Sequence, residues 1–342
     1  MSISPATADA YTATAIRIRN RYIFETLLQP EENPTQFAAW LQRLYTTLSP
    51  ASRRYYSAAL AHYQSIHFPD HIPGPILPDM PNRAEIRKRY GKRTSAKKAK
   101  RIPIDIQNAI IERLERLLDR EKASEYNLWA LAFLQAGGAF GLRPSEWRRA
   151  RFSCLEDGSM VLLVENGKQS GERAFGPMRT LMLDEFLLDP DAVDAARWLM
   201  GRACRMTEEE FRKVITNANR QLQRVIASCG KPCQLRNQDS ITLYTARHQF
   251  AADAKKAGLS RVEIAALMGH ASPETATAHY GRRRHGRDTV GVDLRHDNGS
   301  MPNNRRPGFR VPVWPHWDDV QAVQDMVDRK ARKAVPDPGM SP

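Results

Sequence analysis

The stretch Leu243-Tyr-Thr-Ala-Arg247-His248-Gln-Phe-Ala251 opens an alanine-rich segment that the residue spacing predicts to be helical. Leu267-Met-Gly-His270 and then His279-Tyr280 follow it, so an arginine, a histidine and a tyrosine occur in that order. Upstream, Gly141-Leu-Arg143-Pro-Ser-Glu146 places a second arginine just after a glycine that ends a predicted helix. These four short segments carry most of the chemical information in the chain.

The residue types in these segments suit the cleavage of a phosphodiester. Without a metal, that reaction needs a nucleophile, a stabiliser for the charged transition state and a proton for the leaving oxygen. A guanidinium can hold two phosphate oxygens at once and stays charged, and a tyrosine hydroxyl can attack the phosphorus. A single helical arginine is usually a surface group. The prediction therefore depends on the whole ordered set, not on one residue.

The order of these motifs resembles that of the tyrosine recombinases, also called the phage-integrase family. That family carries an arginine in a Gly-Leu-Arg-x-Ser-Glu motif and a lysine in a β-hairpin turn. A His-x-x-Arg motif, a Gly-His motif and a tyrosine follow. The resemblance covers residues 141–281. The matching positions here are Arg143, Lys168, Tyr244 with Arg247, His270 and Tyr280.

The resemblance implies a role for each of these residues. Arg143 and Arg247 would clamp the scissile phosphate. Tyr280 would attack it, which gives a 3′-phosphotyrosyl bond and a free 5′ hydroxyl. Lys168, in the turn Glu165-Asn-Gly-Lys168, would protonate the leaving oxygen, and His270 would donate a hydrogen bond to the phosphate. The bond energy is kept in the covalent link, so no metal, ATP or other cofactor is expected.

One position departs from the family pattern, because Tyr244 stands where the family has histidine. A phenol can hydrogen-bond a phosphate oxygen or the nucleophile. It is a poorer base at neutral pH, since its reference pKa is about 10. We expect activity to survive the exchange. His248, directly after Arg247, is predicted to be structural rather than a displaced catalytic base.

Composition supports a polyanionic partner. The chain has 342 residues, enough for two domains and a tail, and a formal net charge of +14. Such a charge favours a polyanionic partner, although a basic ribosomal or membrane-surface protein has a similar excess. The resemblance to the family implies that this partner is double-stranded DNA. Four cysteines without a second Cys/His pair predict a reducing compartment, no disulfide framework and no zinc site. No segment resembles a signal peptide or a membrane span, so a cytoplasmic, nucleoid-associated prokaryotic protein is predicted.

The apolar spacing predicts a mainly α fold with a small antiparallel β-sheet. The resemblance to the family implies that the chain is arranged as a two-domain clamp around DNA. We predict a helical core-binding domain over residues 1–86, a basic linker over 87–103 and a catalytic domain over 104–290. A C-terminal tail over 291–342 would be irregular up to residue 315 and would contain a helix over 317–335. The apolar stripe of that helix can dock on its own domain or on a neighbouring subunit.

Basic residues outside the catalytic set are predicted to contact the DNA backbone, because phosphate contacts come mainly from arginine and lysine. The alternative is an ordinary solvated surface for each group. The candidates lie on a helix near residue 53, in the basic linker and in the β-hairpin. They are Arg53, Arg54, Lys92, Arg93, Lys97, Lys98, Lys100, Arg173 and Arg179.

The resulting hypothesis is a site-specific DNA recombinase of a mobile genetic element, which works in integration, excision or resolution. It would assemble on DNA as a tetramer, because exchange between two duplexes needs four active sites. Two alternatives remain open. A type IB topoisomerase uses nearly the same residues, although the N-terminal region argues against it. A non-catalytic DNA-binding protein that retains the fold is the other.

Overall fold

The computed structural model describes residues 5–48, 50–67, 99–167, 174–184, 186–230, 233, 235, 240–275, 280–287 and 312–334. The chain forms two compact units, Met1–Ala96 and Lys97–Pro342. Several of the basic residues singled out from the sequence lie outside the described residues. These are Lys92, Arg93, Lys97, Lys98, Lys168 and Arg173.

Three helices are described in the N-terminal unit: α1 (Pro5–Thr26), α2 (Pro34–Thr47) and α3 (Pro50–His67). Trp40, Leu41 and Leu44 are buried on one face of α2, as their helical spacing predicts. They pack against Tyr22 of α1, whose ring centroid lies 5.4 Å from that of Trp40. The helical character predicted for this region is observed.

The second unit is built around a helix that is apolar on all sides. This helix, α5 (Glu125–Phe140), contacts four neighbours, and burial on every face explains why its sequence lacks a polar stripe. The neighbours are α4 (Ile104–Leu118), α6 (Pro190–Ala203), α7 (Glu208–Cys229) and α8 (Leu243–Lys256). A shorter helix, α9 (Arg261–Leu267), follows α8. None of the described helices is both long and apolar enough to cross a membrane.

A four-stranded antiparallel sheet packs beside these helices in the order β1-β2-β3-β4. Its strands are β1 (Ala150–Cys154), β2 (Met160–Glu165), β3 (Met178–Leu183) and β4 (Val313–Pro315). Val161 pairs with Met182 across β2 and β3, so the hairpin predicted from the apolar runs is present. The predicted mainly α fold with a small antiparallel sheet is confirmed.

The C-terminal tail is more closely integrated with this unit than the sequence predicts. Residues 313–315 were expected to be irregular, but they pair with β3, where Leu183 opposes Val313. The predicted helix follows as α10 (Trp317–Ala334), and its Val323 is buried against Ala265 and Ala266 of α9. In this structure the tail helix therefore docks on its own domain.

Two further expectations need correction. The chain enters the catalytic core before the predicted boundary at residue 104, since Ala99 and Ile102 are buried and the Ile102 amide donates to Gln249 at 2.9 Å. The cysteines were expected to be reduced, but Cys229 and Cys233 form a disulfide at the end of α7. Sequence spacing alone does not show that the chain folds back at this point and brings the two thiols together.

Candidate active site

The first turns of α8 place Tyr244 and Arg247 on the side that faces the C-terminal end of α5. Arg247 is fully buried, and its guanidinium is held from several directions. Nη1 donates to the carbonyl of Gly141 at 2.6 Å, and Nη2 donates to the carbonyl of Met268 at 2.5 Å. Because both acceptors are backbone carbonyls of distant segments, the position of Arg247 is determined by tertiary packing.

Arg143 reaches the same place because α5 ends sharply. Gly141 adopts a left-handed conformation with φ 69°, and a Cβ there would meet the ring of Phe250 at 2.1 Å. Two residues later, the Arg143 guanidinium forms an ion pair with Glu146. Its Nε is buried without a hydrogen-bond partner. A buried guanidinium nitrogen without a partner is unfavourable unless a ligand supplies an acceptor.

Glu146 is the carboxylate that organises the arginines. It accepts hydrogen bonds from Arg143, from Arg179 at 2.8 Å and from Arg247 at 3.4 Å. Burial raises the pKa of this carboxyl, but the three arginines outweigh burial and hold it well below its usual range. Three guanidinium groups therefore share one ionised carboxylate, which leaves two positive charges uncompensated in a buried cluster. Such a cluster is a site for an anion.

The hydroxyl of Tyr280 lies where three polar groups converge. Tyr244 Oη is 2.7 Å away, His270 Nε2 is 3.2 Å away, and Arg247 Nε donates to it at 3.3 Å. Burial raises the pKa of Tyr280, but the charges of Arg247 and Arg143, together with the hydrogen bonds to Tyr244 and Arg247, lower it below its ordinary value. Burial raises the pKa of Tyr244. Tyr280 is therefore the more acidic phenol of the pair, and Tyr244 donates the hydrogen bond between them once Tyr280 is ionised.

His270 enters the site through a tight turn after α9. Gly269 has φ 64°, and the amide of His270 donates to the carbonyl of Ala265 at 2.8 Å. Burial lowers the pKa of His270 to about 2, and the nearby arginines lower it in the same direction. The ring is consequently neutral at physiological pH. A neutral imidazole can donate one hydrogen bond to a phosphate without adding charge.

Five of the six predicted catalytic residues are thus brought together, although they come from segments far apart in the chain. They are Arg143, Tyr244, Arg247, His270 and Tyr280. Lys168 lies outside the described residues, so its role remains a prediction. His248 packs its ring 4.9 Å from that of Tyr280, and its structural role remains a prediction. Among the described residues, no group of three His, Cys, Asp or Glu side chains is arranged to hold a metal ion.

Two predicted DNA-contact residues are not on the surface. Arg179 is 1% exposed and is bonded to Glu146 and Asn166, so it does not meet a phosphate from the protein surface. Arg53 is 8% exposed, and its Nε donates to the carbonyl of Leu48 at 3.2 Å. Both assignments are corrected on this ground, because a backbone contact requires an accessible guanidinium.

The remaining described candidates, Arg54 and Lys100, are exposed and partly exposed respectively. The inward direction of Arg179 has a sequence signal that a composition argument overlooks. Arg179, Leu181 and Leu183 occupy every second position of β3 and therefore lie on the same buried face. Asn166, its other partner, was noticed only as part of a turn.

A family model described as the phage integrase family matches residues 106–286, which is more than half of the chain. No curated protein sequence matches the chain. Among solved structures, lambda integrase as a tetramer bound to a Holliday junction is 16% identical, with a TM-score of 0.48 over 86% of this chain and 76% of that one. XerH recombinase bound to its difH substrate is 14% identical, with a TM-score of 0.44 over 78% and 74% of the two chains.

The Tn1549 transposon integrase in complex with transposon end DNA is 11% identical, with a TM-score of 0.40 over 72% and 79%. These values are too low for any residue's role to be transferred from those structures. The match to the family model, over a domain that contains the assembled site, decides the class: the chain belongs to the phage integrase family of tyrosine recombinases. It is accordingly an enzyme of the site-specific type that breaks and rejoins DNA strands.

Proposed function

We propose that Tyr280 is the nucleophile of this recombinase and that the scissile phosphate binds among Arg143, Arg247 and His270. The convergence of Arg247, Tyr244 and His270 on one hydroxyl supports this role most directly. The Tyr280 oxygen attacks phosphorus, a new P–O bond forms, and the bond from phosphorus to the 5′ oxygen breaks. A 5′ hydroxyl of the partner strand then attacks the phosphotyrosine and releases Tyr280.

The charge of the site explains how the transition state is stabilised. A phosphodiester carries one negative charge, and the attacked phosphorane carries more. The cluster offers two positive charges beyond those that Glu146 neutralises, and the surrounding side chains are buried. In a site shielded from water, fixed charges act more strongly than at a surface. The partnerless Nε of Arg143 is a donor that such an oxygen can satisfy.

The nucleophile is prepared without a strong base. Arg247 and Arg143 favour the phenolate of Tyr280, which gives its proton to solvent before the attack, and Tyr244 keeps its own proton and donates a hydrogen bond to that phenolate. The same bond stabilises the phenolate when Tyr280 becomes the leaving group in religation. The leaving 5′ oxygen needs a proton in the cleavage step, and we assign this to Lys168 on the family motif alone.

We propose double-stranded DNA as the partner and a tetramer in the recombining complex, since two duplexes require four cleavages. The net charge of +14 supports a nucleic acid partner. Arg54, Lys92, Arg93, Lys97, Lys98, Lys100 and Arg173 remain the candidates for backbone contact. A mobile-element role and a place on the nucleoid, in the cytoplasm of a prokaryote, complete the proposal. Location and biological role rest on sequence reasoning.

Trapping a covalent adduct tests the nucleophile. On a nicked suicide substrate, the wild-type protein should become linked to DNA, and Tyr280→Phe should not, although it should still bind the site. Tyr126→Phe is a matched control, because it removes a phenolic hydroxyl from α5 in the same unit. An adduct of normal yield from Tyr280→Phe would overturn the assignment. Absence of any adduct from the wild type would favour a non-catalytic DNA-binding protein.

A second assay separates the recombinase from a topoisomerase. Two duplexes that carry the same target site should exchange strands and give products of new length. Relaxation of a supercoiled plasmid without such products would favour the topoisomerase alternative, which uses the same chemistry within one duplex.

A further inference from the structure

A second set of buried polar residues lies behind the proposed phosphate site. At its centre is Arg179 on β3, whose side chain has no exposed surface. Nη2 donates to Glu146 Oε2 at 2.8 Å, and Nη1 donates to Asn166 Oδ1 at 2.6 Å. Arg179 therefore connects the carboxylate that holds both proposed phosphate-binding arginines to the end of β2.

Asn166 in turn closes the base of the connection between β2 and β3. The backbone N–H of Asn166 donates to the carbonyl of Pro177 at 2.8 Å, and the side-chain Nδ2 donates to the carbonyl of Gly176 at 2.8 Å. The amide of Gly167 points at Glu146 Oε1 at 3.4 Å. The two ends of this connection are consequently joined to each other and to Glu146.

The turn that carries His270 rests on the same two side chains. A Cβ added to Gly269 would meet Asn166 Oδ1 at 2.2 Å and Arg179 Nη1 at 2.9 Å. This close approach explains why a glycine precedes the histidine. The end of β2, the Glu146 segment and the Gly269 turn thus meet at one buried guanidinium.

Stability alone is a poor explanation for an arginine at this position. Leu181 and Leu183 occupy the same buried face of β3, where an apolar side chain packs without a desolvation cost. Burial of a third guanidinium beside one carboxylate is expensive, and Arg179 Nε has no partner. The buried Arg179 is better explained by the positions in which it holds Glu146 and Asn166.

We propose that Arg179 and Asn166 are positioning residues for DNA cleavage. They hold the two described ends of the β2–β3 connection, residues 166–167 and 174–177, in register with Glu146, and through it with Arg143 and Arg247. The inference rests on the proposed function, in which Lys168, two residues after Asn166 in sequence, protonates the leaving oxygen. Asn166 acts mainly on the leaving-group side, whereas Arg179 acts on that side and, through Glu146, on the arginine pair.

A sulfur-substituted substrate separates positioning from simple loss of structure. Suicide substrates are made with oxygen or with sulfur at the bridging 5′ position, since a thiolate leaves without needing a proton. Adduct formation is then compared for wild type, Arg179→Met, Arg179→Lys and Asn166→Ala. A variant with fewer folded molecules loses the same factor on both substrates. A variant that misplaces the proton donor loses far more on the oxygen substrate.

We expect Arg179→Met to form the oxygen adduct about 100-fold more slowly, the scale of a small misplacement of catalytic groups, with half-site binding little changed. The sulfur substrate should restore most of the loss in Asn166→Ala and part of it in Arg179→Met. The rate of oxygen-adduct formation by Arg179→Lys should lie between the rates of Arg179→Met and wild type, because one ammonium keeps the charge but cannot bridge Glu146 and Asn166. Arg148→Met is the matched control, since its Nε donates to the Met206 carbonyl at 2.7 Å, away from the site. In Arg148→Met, the rate of adduct formation on the sulfur substrate divided by the rate on the oxygen substrate should equal the wild-type ratio.

The outcomes are distinct. A sulfur-to-oxygen ratio above the wild-type value in Asn166→Ala and in either Arg179 variant supports the inference. A wild-type ratio in all three overturns it, whatever their absolute rates, and leaves the proposed function intact. Failure of the wild type to form an adduct with either substrate overturns the proposed function instead, and this inference with it.

Discussion

The hydroxyl groups of Tyr244 and Tyr280 lie 2.7 Å apart, although 36 residues separate them in the chain. The family has a histidine at the first of these positions, so a phenol here takes the place of an imidazole. Because the pKa of Tyr244 is raised by burial while the arginines lower that of Tyr280, Tyr280 ionises first and Tyr244 then donates the hydrogen bond between them. Tyr244 therefore supplies a hydrogen bond to the proposed nucleophile and does not act as a general base.

Substitution of Tyr244 tests this hydrogen bond. Tyr244→Phe should slow adduct formation about 10- to 100-fold, the effect of losing one hydrogen bond to a charged group. Tyr244→His should keep or raise the rate, because an imidazole can donate in the same place. Single-turnover adduct formation measures both. A Phe variant as fast as the wild type would show that the ring of Tyr244 only packs.

The pH dependence of cleavage should report on the nucleophile. Since positive neighbours lower the pKa of Tyr280, the rate should rise with pH through an inflection below the ordinary tyrosine value of about 10. Arg247→Gln removes a positive charge, so the inflection should move to higher pH. Arg247→Lys keeps the charge but loses the fork, so the inflection should stay low while the rate falls about 100-fold. Single-turnover pH–rate profiles with saturating DNA measure both quantities. An inflection that is the same in all three proteins would contradict the role given to Arg247.

Two glycines with similar backbone angles offer a matched pair for the Gly269 turn. Gly269 has φ 64° and Gly158 has φ 83°, so alanine costs about 1–2 kcal/mol of backbone strain at either position. At Gly158 nothing lies within 4 Å of the new Cβ, whereas at Gly269 it meets Asn166 and Arg179. Gly269→Ala should therefore lower the free energy of unfolding by roughly 1–3 kcal/mol more than Gly158→Ala. Urea unfolding of the two variants makes the comparison. Equal losses would mean that the close approach at Gly269 is unimportant.

Docking of the tail should weaken as the pH rises. The amide of Thr180 donates to Asp319 at 2.6 Å, and burial raises the pKa of Asp319 to about 6 despite that bond and the nearby His316 and Arg179. The unfolded value is about 3.9, so the docked tail holds the proton more tightly. The extra stability is fully present below about pH 4 and is lost as the pH rises through about 6.

Asp319→Asn removes this titration and keeps an oxygen for the Thr180 amide. At neutral pH it should stabilise docking by roughly 1–3 kcal/mol, toward the lower end because Asp319 is partly exposed. Hydrogen exchange of the His316 amide, which donates to the Thr180 carbonyl at 3.0 Å, measures the docked fraction after correction for the intrinsic rate. Identical pH dependence in the two proteins would assign the effect to a group other than Asp319.

The sequence by itself determined the elements and the chemical class. Apolar spacing predicted a mainly α fold with a small antiparallel sheet and a helix in the tail, because periodicity reflects which face of one element is buried. The order of the Arg143, Arg247, His270 and Tyr280 motifs pointed to the family, and the family model confirmed it. Local geometry was also readable where a glycine ends a helix, as at Gly141.

Only the tertiary structure decided how distant segments share their polar groups. The sequence does not state that one carboxylate, Glu146, serves three arginines, or that Arg179 points inward instead of toward DNA. Nor does it show that residues 313–315 complete the sheet beside β3. The physical reason is the same in each case. The partner of a charged side chain or an edge strand is set by tertiary packing. That partner can lie more than a hundred residues away in the sequence.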